Sequence, residues 1–166
     1  MLSSQVSIPV TVRDLVADDL PACAWSGSPV HLRYVAAELE RVPRGEADYL
    51  ALCPPSGLPV GLALLDWTAV PGAGLIGQLA VLPALRSCGL GTLIVEYAEA
   101  RIVARGLDRA ELRVEIDNRR ARALYQRLGY EAYGEAPDGW DEPGPDGTVV
   151  RYETTCTLMR KQLRAG

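Results

Sequence analysis

Residues 81–94 read VLPALRSCGLGTLI, and this stretch decides the fold. An apolar run ends at Pro83, Arg86 and two glycines follow, and apolar residues then recur at helical spacing. The pattern predicts a strand that turns directly into a helix. The first N–H groups of a helix have no partners inside it, and the helix dipole is positive there, so oxyanions bind at such turns.

The residues of this turn suit a bulky phosphate. Gly89 and Gly91 have no Cβ to obstruct an approach to the backbone. Arg86 supplies a forked cation and Thr92 a hydroxyl. We interpret the turn as a pyrophosphate site, with a purely structural turn as the alternative. A P-loop would need a lysine, which this region lacks, and a dinucleotide fingerprint would need a third glycine in place of Ile94.

The patterns on either side of the stretch predict one α/β (α+β) domain spanning residues 1–166. Ser28 and Asn118 are predicted helix N-caps, and Gly106 and Gly129 predicted helix stops. Helices are expected at about residues 18–25, 29–42, 90–105 and 119–128, strands at residues 8–13, 48–53, 60–67, 75–82, 110–116, 131–135 and 149–158, and a Pro-, Gly- and Asp-rich loop at residues 136–147. Hairpins are antiparallel and the unit at residues 75–116 makes a parallel crossover, so the sheet should be mixed.

Composition excludes several classes of protein. The net charge of -4 and the pI near 5.1 argue against a nucleic acid partner, which needs a basic face. The four cysteines are far apart and His31 is the single histidine, so we expect no metal site and reduced thiols. No signal peptide or apolar run of about 18 residues is found. We therefore expect a soluble, cytoplasmic protein with no membrane attachment.

A second block, residues 112–131, reads LRVEIDNRRARALYQRLGYE. After a strand, Asn118 opens a helix on which Ala121, Leu124 and Leu128 share one face. Tyr125 lies at the rim of that face. A rim tyrosine can pack its ring inside while its hydroxyl faces a cleft, although a core tyrosine gives the same pattern.

Together the two blocks resemble the GCN5-related N-acetyltransferase (GNAT) superfamily. The family turn R/Q-x-x-G-x-G/A is matched by Arg86, Gly89 and Gly91. The signature N-x-x-A-x-x-L-Y-x-x-x-G-F/Y is matched by Asn118, Ala121, Leu124, Tyr125, Gly129 and Tyr130. The order of elements also agrees over nearly the whole chain.

The resemblance implies a mixed sheet of about seven strands, with helices on both faces and a splay between the fourth and fifth strands. It implies transfer of an acetyl group from acetyl-CoA, as co-substrate and without a metal, to a primary amine. Tyr125 would protonate the departing thiolate, and N–H groups near Ala80 and Val81 could stabilise the oxyanion. The residues implied in coenzyme binding are Leu79, Ala80, Val81, Arg86, Ser87, Cys88, Gly89, Leu90, Gly91, Thr92, Asn118 and Tyr125.

The base and the acceptor are less defined. Some family members carry a glutamate early on the strand before the turn, but residues 75–78 of this chain have no ionisable group. Glu115 is therefore the candidate base, and a solvated strand glutamate is the alternative reading of this residue.

The acceptor, a small-molecule amine or a protein or peptide amine, would lie near Trp25, His31, Tyr34, Trp140, Tyr152 and Glu153. Asp138, Asp141, Glu142 and Asp146 could attract a cationic amine, although such a run is often a solvated loop. His31 is expected on the helix surface. Arg119, Arg120 and Arg122 could bind the coenzyme's 3′-phosphate or be solvated.

Two other functions stay open. A non-catalytic acyl-CoA-binding or sensing module could use the same fold, and a nucleotide-binding α/β regulator would bind ATP or NAD instead. Homodimers are common among similar proteins, but the sequence carries no interface signature.

Overall fold

The computed structural model describes residues 2–164. The strands are β1 Thr11–Asp14, β2 Ala47–Cys53, β3 Gly61–Asp66, β4 Gly74–Val81, β5 Arg109–Glu115, β6 Glu131–Pro143 and β7 Val149–Gln162. The α-helices are α1 Pro29–Arg41, α2 Leu90–Ala104 and α3 Arg119–Arg127, and short 3-10 helices form at Ala17–Ser26, Val42–Arg44, Pro83–Leu85 and Pro145–Gly147. No helix within residues 2–164 is long and apolar enough to cross a membrane.

All seven strands form one mixed sheet in the order β1-β2-β3-β4-β5-β7-β6. The β4–β5 pair is parallel and is joined through α2, whereas the other neighbours are antiparallel. The parallel pairing covers only three positions, from Gly74 opposite Ala110 to Ile76 opposite Leu112. Beyond these residues the strands separate, which confirms the predicted splay.

Helices cover both faces of the sheet, as predicted, because alternate strand residues point to opposite sides. On β2, Leu50 packs in the cluster that contains Val95 of α2 and touches Tyr125 of α3. Its neighbour Tyr49 packs in the cluster that contains Val35 of α1. Helices α2 and α3 therefore cover one face, and α1 with the 3-10 helix before it covers the other.

The predicted helix ends are confirmed. The Ser28 hydroxyl accepts a 3.2 Å hydrogen bond from the His31 N–H, and Asn118 Oδ1 accepts one of 3.1 Å from Ala121. Gly106 and Gly129 have φ of 87° and 93°, a left-handed conformation that glycine adopts without steric cost.

The predicted loop at residues 136–147 is wrong. Strand β6 continues to Pro143 and pairs with β7 as far as Val149, so the turn is confined to the few residues between them. Because β6 is the edge strand, Pro137 and Pro143 can lie in it without removing an interior ladder hydrogen bond. Asp138, Asp141 and Glu142 are therefore strand residues.

The first two elements are also shorter or tighter than predicted. The strand expected at residues 8–13 forms only at Thr11–Asp14, where β2 is available to pair with it. The first helix is a 3-10 helix with Pro21 inside it, and proline cannot donate the N–H that an α-helix would require there.

Candidate active site

The gap between β4 and β5 opens into a cavity of about 920 Å³. Residues 75–79 of β4 form one wall and residues 112–115 of β5 form the other. The gap persists because β5 takes its second partner, β7, on the far side, where the pairing runs on to Glu115 opposite Cys156.

The cavity passes through the sheet. Tyr125 reaches it from α3, on the face that α2 also covers. His31, Tyr34 and Glu38 reach it from α1, on the opposite face. Groups that enter from the two sides of the sheet can therefore meet in the gap.

Tyr125 is partly buried, and its ring lies edge-on to Tyr130 with centroids 6.1 Å apart. Burial raises the pKa of Tyr125 to about 12, because the phenolate would lose its hydration. The hydroxyl is therefore neutral at physiological pH and can donate a proton or a hydrogen bond.

The glycine turn lies outside the cavity lining, on the surface beside it. Gly89 has φ of 84° with open space where a Cβ would point, and no side chain caps the N-terminus of α2. The turn is linked to α3, since Arg120 donates a hydrogen bond to the Ser87 hydroxyl and Leu124 lies 3.8 Å from the Cβ position of Gly91. Arg86 is exposed.

The other predicted residues divide between the cavity and its neighbourhood. Leu79, Asn118 and Glu115 line the cavity. Glu115 accepts a 2.7 Å hydrogen bond from the Tyr152 hydroxyl, so it is held in place. Ala80 and Val81 continue along the free edge of β4 toward the turn, past the lining.

A comparison with protein-family models identifies this arrangement. The model of the acetyltransferase (GNAT) family matches residues 12–130. The chain belongs to the GNAT family. That stretch includes both motifs, β4, β5 and all three α-helices of the described chain.

Curated relatives match part of this GNAT chain. A mycothiol acetyltransferase of Salinispora tropica is 34% identical over 123 residues, which are 67% of this chain and 39% of that protein. One from Beutenbergia cavernae is 46% identical over 66 residues, 39% of this chain and 22% of that protein. The chain thus spans less than half the length of these relatives.

Solved structures share the GNAT fold. The ribosomal-protein-S18-alanine N-acetyltransferase from Escherichia coli aligns with a TM-score of 0.71 at 21% identity, covering 95% of this chain and 97% of that one. A phosphinothricin acetyltransferase from Sinorhizobium meliloti, solved in complex with AcCoA, aligns with a TM-score of 0.71 at 18% identity, covering 95% and 90%.

The half of the GNAT cavity that faces α1 and β6 is acidic. Two carboxylates in its wall are partly neutralised, Glu38 by Arg41 at 2.6 Å and Asp141 by Arg151 at 3.5 Å. The acidic residues of the lining are Glu38, Glu115, Asp138, Asp141 and Glu142, and the cationic Arg113 of β5 also lines the cavity. This half also contains Trp140, whose ring packs on Tyr152 with centroids 4.9 Å apart.

Not every residue predicted near the acceptor lies there. His31, Tyr34 and Trp140 line the cavity, as do Asp138, Asp141 and Glu142, but the lining does not include Trp25, Asp146, Tyr152 or Glu153. The Trp25 indole instead donates a 3.1 Å hydrogen bond to the Pro59 carbonyl.

Sequence reasoning missed several residues of the lining, among them Glu38, Gln78 and Cys156, for which no local signal was found. His31 was predicted near the acceptor but on the helix surface. Its ring is instead half-buried in the cavity wall, and this burial lowers its pKa. Within residues 2–164, no cluster of three or more His, Cys, Asp or Glu is arranged to hold a metal.

Proposed function

We propose that this chain transfers an acetyl group from acetyl-CoA to a primary amine by direct attack. The observation that carries the proposal is the cavity that passes through the sheet at the β4–β5 gap, with a neutral tyrosine on one side and an acidic wall on the other. Donor and acceptor would enter from opposite faces and meet in the gap.

The free edge of β4 and the glycine turn fit the coenzyme. Pairing with β5 ends at Ile76, so the backbone of Leu79, Ala80 and Val81 has an edge free for the pantetheine arm. Residues 86–92, comprising Arg86, Ser87, Cys88, Gly89, Leu90, Gly91 and Thr92, would hold the diphosphate with uncapped helix amides and a guanidinium. Open space at Gly89 leaves room for phosphate oxygens. When bound, acetyl-CoA supplies an activated thioester carbonyl.

Tyr125 would donate its proton to the departing thiolate. A phenol of pKa about 12 would be poorly matched to an exposed thiol of pKa about 8.5. The same loss of hydration that raises the pKa of Tyr125 would disfavour a thiolate formed in this cavity, as burial does for Cys156 in the cavity wall. This effect favours proton transfer from the phenol to the departing thiolate.

Glu115 is the proposed acceptor of the ammonium proton. It lines the gap on β5, and its hydrogen bond from Tyr152 orients the carboxylate. Asn118 caps α3 at the same end of the cavity and would face the coenzyme's arm.

The acidic wall favours a cationic amine over an acidic one, because an acceptor that carries its own carboxylate would be repelled. Relatives in fold act on amines of this kind: one is named for the alanine of ribosomal protein S18 and another for spermidine. A protein or peptide amine and a small-molecule amine both remain within the proposal.

The test begins with a thermal-shift screen against acetyl-CoA, longer acyl-CoAs, ATP and NAD. A rise in melting temperature with coenzyme A species alone would support the proposal. Acetyl-CoA is then incubated with a panel of mono-, di- and polyamines and basic peptides, and free thiol and acetylated product are measured. Coenzyme binding without thiol release for any amine would indicate the non-catalytic module instead. Binding of ATP or NAD alone would contradict both.

Replacing Tyr125 by Phe should lower kcat by about 10²-fold, because general-acid catalysis contributes on that order, while the acetyl-CoA dissociation constant changes little. The matched control is Tyr97→Phe, which removes the hydroxyl of an exposed tyrosine on α2 and should leave kcat unchanged. Wild-type turnover by the Tyr125 variant would remove Tyr125 from the acid role.

A further inference from the structure

Gln78 has a backbone conformation that residues with a side chain rarely adopt. Its φ is 46°, in the left-handed region. It belongs to a bulge in which Gln78 and Leu79 of β4 oppose the single residue Ala63 of β3. Such a conformation persists only where the surrounding structure holds it.

A buried tyrosine on β2 holds this residue. The Tyr49 hydroxyl donates a 2.7 Å hydrogen bond to Gln78 Oε1, and Tyr49 is only 1% exposed. Burial foremost, with the nearby Glu38 carboxylate, raises the pKa of Tyr49 far above its usual range, so the hydroxyl stays protonated and remains a donor.

The bulge lies where the sheet opens. Gln78 is two residues beyond Ile76, the last β4 residue that pairs with β5, and it lines the cavity. The torsion angles at Gln78 therefore set the direction in which the peptide groups of Leu79, Ala80 and Val81 leave the paired part of the sheet.

We propose that Tyr49 and Gln78 form a positioning pair: the buried hydroxyl holds the bulge in its left-handed conformation, and thereby orients the free edge of β4 for the coenzyme's arm. The inference rests on the proposed function for its consequence in catalysis, but its structural part stands independently. Neither residue is a catalytic residue, because both act through the backbone of β4.

A merely structural role for this hydrogen bond predicts something different. If the bond served only to satisfy a buried phenol, its loss would lower the free energy of unfolding but would leave the exchange rate of residues 77–82 and the coenzyme affinity unchanged. If it holds a left-handed residue in place, its loss should disturb the bulge in Gln78→Ala, which keeps a Cβ but has no acceptor, and not in Gln78→Gly, because glycine adopts positive φ without cost.

The experiment compares Tyr49→Phe, Gln78→Ala and Gln78→Gly on the full chain, and the Tyr49→Phe/Gln78→Gly double variant completes a double-mutant cycle. Hydrogen exchange of peptides covering residues 77–82 reports the bulge, and calorimetry with desulfo-CoA, which cannot react, reports the coenzyme site. Tyr133→Phe is the matched control, since it removes a 2.6 Å hydrogen bond from a tyrosine hydroxyl to Glu111. Neither Tyr133 nor Glu111 lines the cavity.

Tyr49→Phe should speed exchange at residues 77–82 by about tenfold and weaken desulfo-CoA binding by about fivefold, the effect of one lost hydrogen bond. In the Gln78→Gly background the same substitution should change neither value by more than about twofold, within the usual error of additivity. Gln78→Ala should reproduce the effects of Tyr49→Phe, whereas Gln78→Gly alone and Tyr133→Phe should change neither value by more than about twofold.

Equal effects of Tyr49→Phe in both backgrounds, or no effect in either, would overturn the positioning pair. Coupling in hydrogen exchange without any desulfo-CoA binding by the unmodified protein would support the structural part of the positioning pair and refute the proposed function. If Tyr49→Phe changes hydrogen exchange as predicted but leaves desulfo-CoA affinity unchanged, the link between the bulge and coenzyme binding would be overturned.

Discussion

Arg41 shows how a single residue ties separate elements together. From the end of α1 its guanidinium contacts Asp66 of β3 at 2.9 Å and Glu38 of its own helix at 2.6 Å. Partial burial raises the pKa of Asp66, but hydrogen bonds from Arg41 and Thr68 outweigh it and lower the pKa from 3.8 to about 2. Ionised Asp66 is thus preferred in the folded protein.

The sign of the pH dependence follows from this shift. A carboxyl with a depressed pKa in the folded state contributes stability that is fully present above about pH 4 and is lost as the pH falls toward 2. Asp66→Asn should therefore lower the denaturant midpoint at pH 7, and the difference from the unmodified protein should shrink at pH 2.5. Equal differences at the two pH values would contradict this assignment. Asp117→Asn, at an exposed aspartate, is the control.

Residue-scale prediction succeeded where the signal is local. Ser28 and Asn118 cap helices because their side chains reach an N–H three residues ahead, a relation that the sequence itself contains. Tyr125 was predicted at a rim from helical spacing, and it lines the cavity. Gln78 could not be predicted, because its conformation depends on a hydrogen bond from Tyr49, which is distant in sequence.

At the scale of elements, the end of α3 controls how Tyr125 is presented. The Tyr130 N–H donates a 2.9 Å hydrogen bond to the Tyr125 carbonyl, and the Gly129 N–H donates one of 3.0 Å to the Gln126 carbonyl. These two hydrogen bonds end the helix and require a positive φ at Gly129, which is 93°. The chain can then turn at once into β6.

Gly129→Ala should destabilise the protein by about 1–2 kcal/mol, because a Cβ is strained in this left-handed conformation. Urea unfolding followed by circular dichroism would measure the change. The control is Gly134→Ala in β6, where φ is not positive and the nearest side-chain atom to the new Cβ lies at 3.8 Å. An equal or smaller loss in the Gly129 variant would contradict the role of the turn.

The β6–β7 hairpin shows why local sequence patterns can predict a loop where the folded protein has a strand. Prolines, glycines and aspartates are typical of loops, and the sequence therefore predicted a loop at residues 136–147. Those residues are tolerated in β6 because it is an edge strand with a single partner, β7. An edge position is a property of the assembled sheet, which local composition does not report.

At the scale of the whole molecule, the candidate active-site cavity is a consequence of strand order. Sequence patterns alone predicted a mixed sheet, and the family resemblance predicted its splay, which the short β4–β5 pairing confirms. The passage of the cavity through the sheet was not predicted. It requires α1 and α3 to approach the gap from opposite faces, and that arrangement depends on packing between distant residues.

The central claim is that residues 86–92 hold the diphosphate of acetyl-CoA, and Cys88 within this turn offers a direct probe. Cys88 is exposed, whereas Cys23, Cys53 and Cys156 are buried, so iodoacetamide should label it selectively. Peptide mass spectrometry would measure its rate of alkylation with and without acetyl-CoA, and with acetyl-pantetheine, which has the thioester but no diphosphate. We predict that saturating acetyl-CoA slows the alkylation of Cys88 by about tenfold or more and that acetyl-pantetheine does not. An unchanged rate at saturating acetyl-CoA would contradict the account.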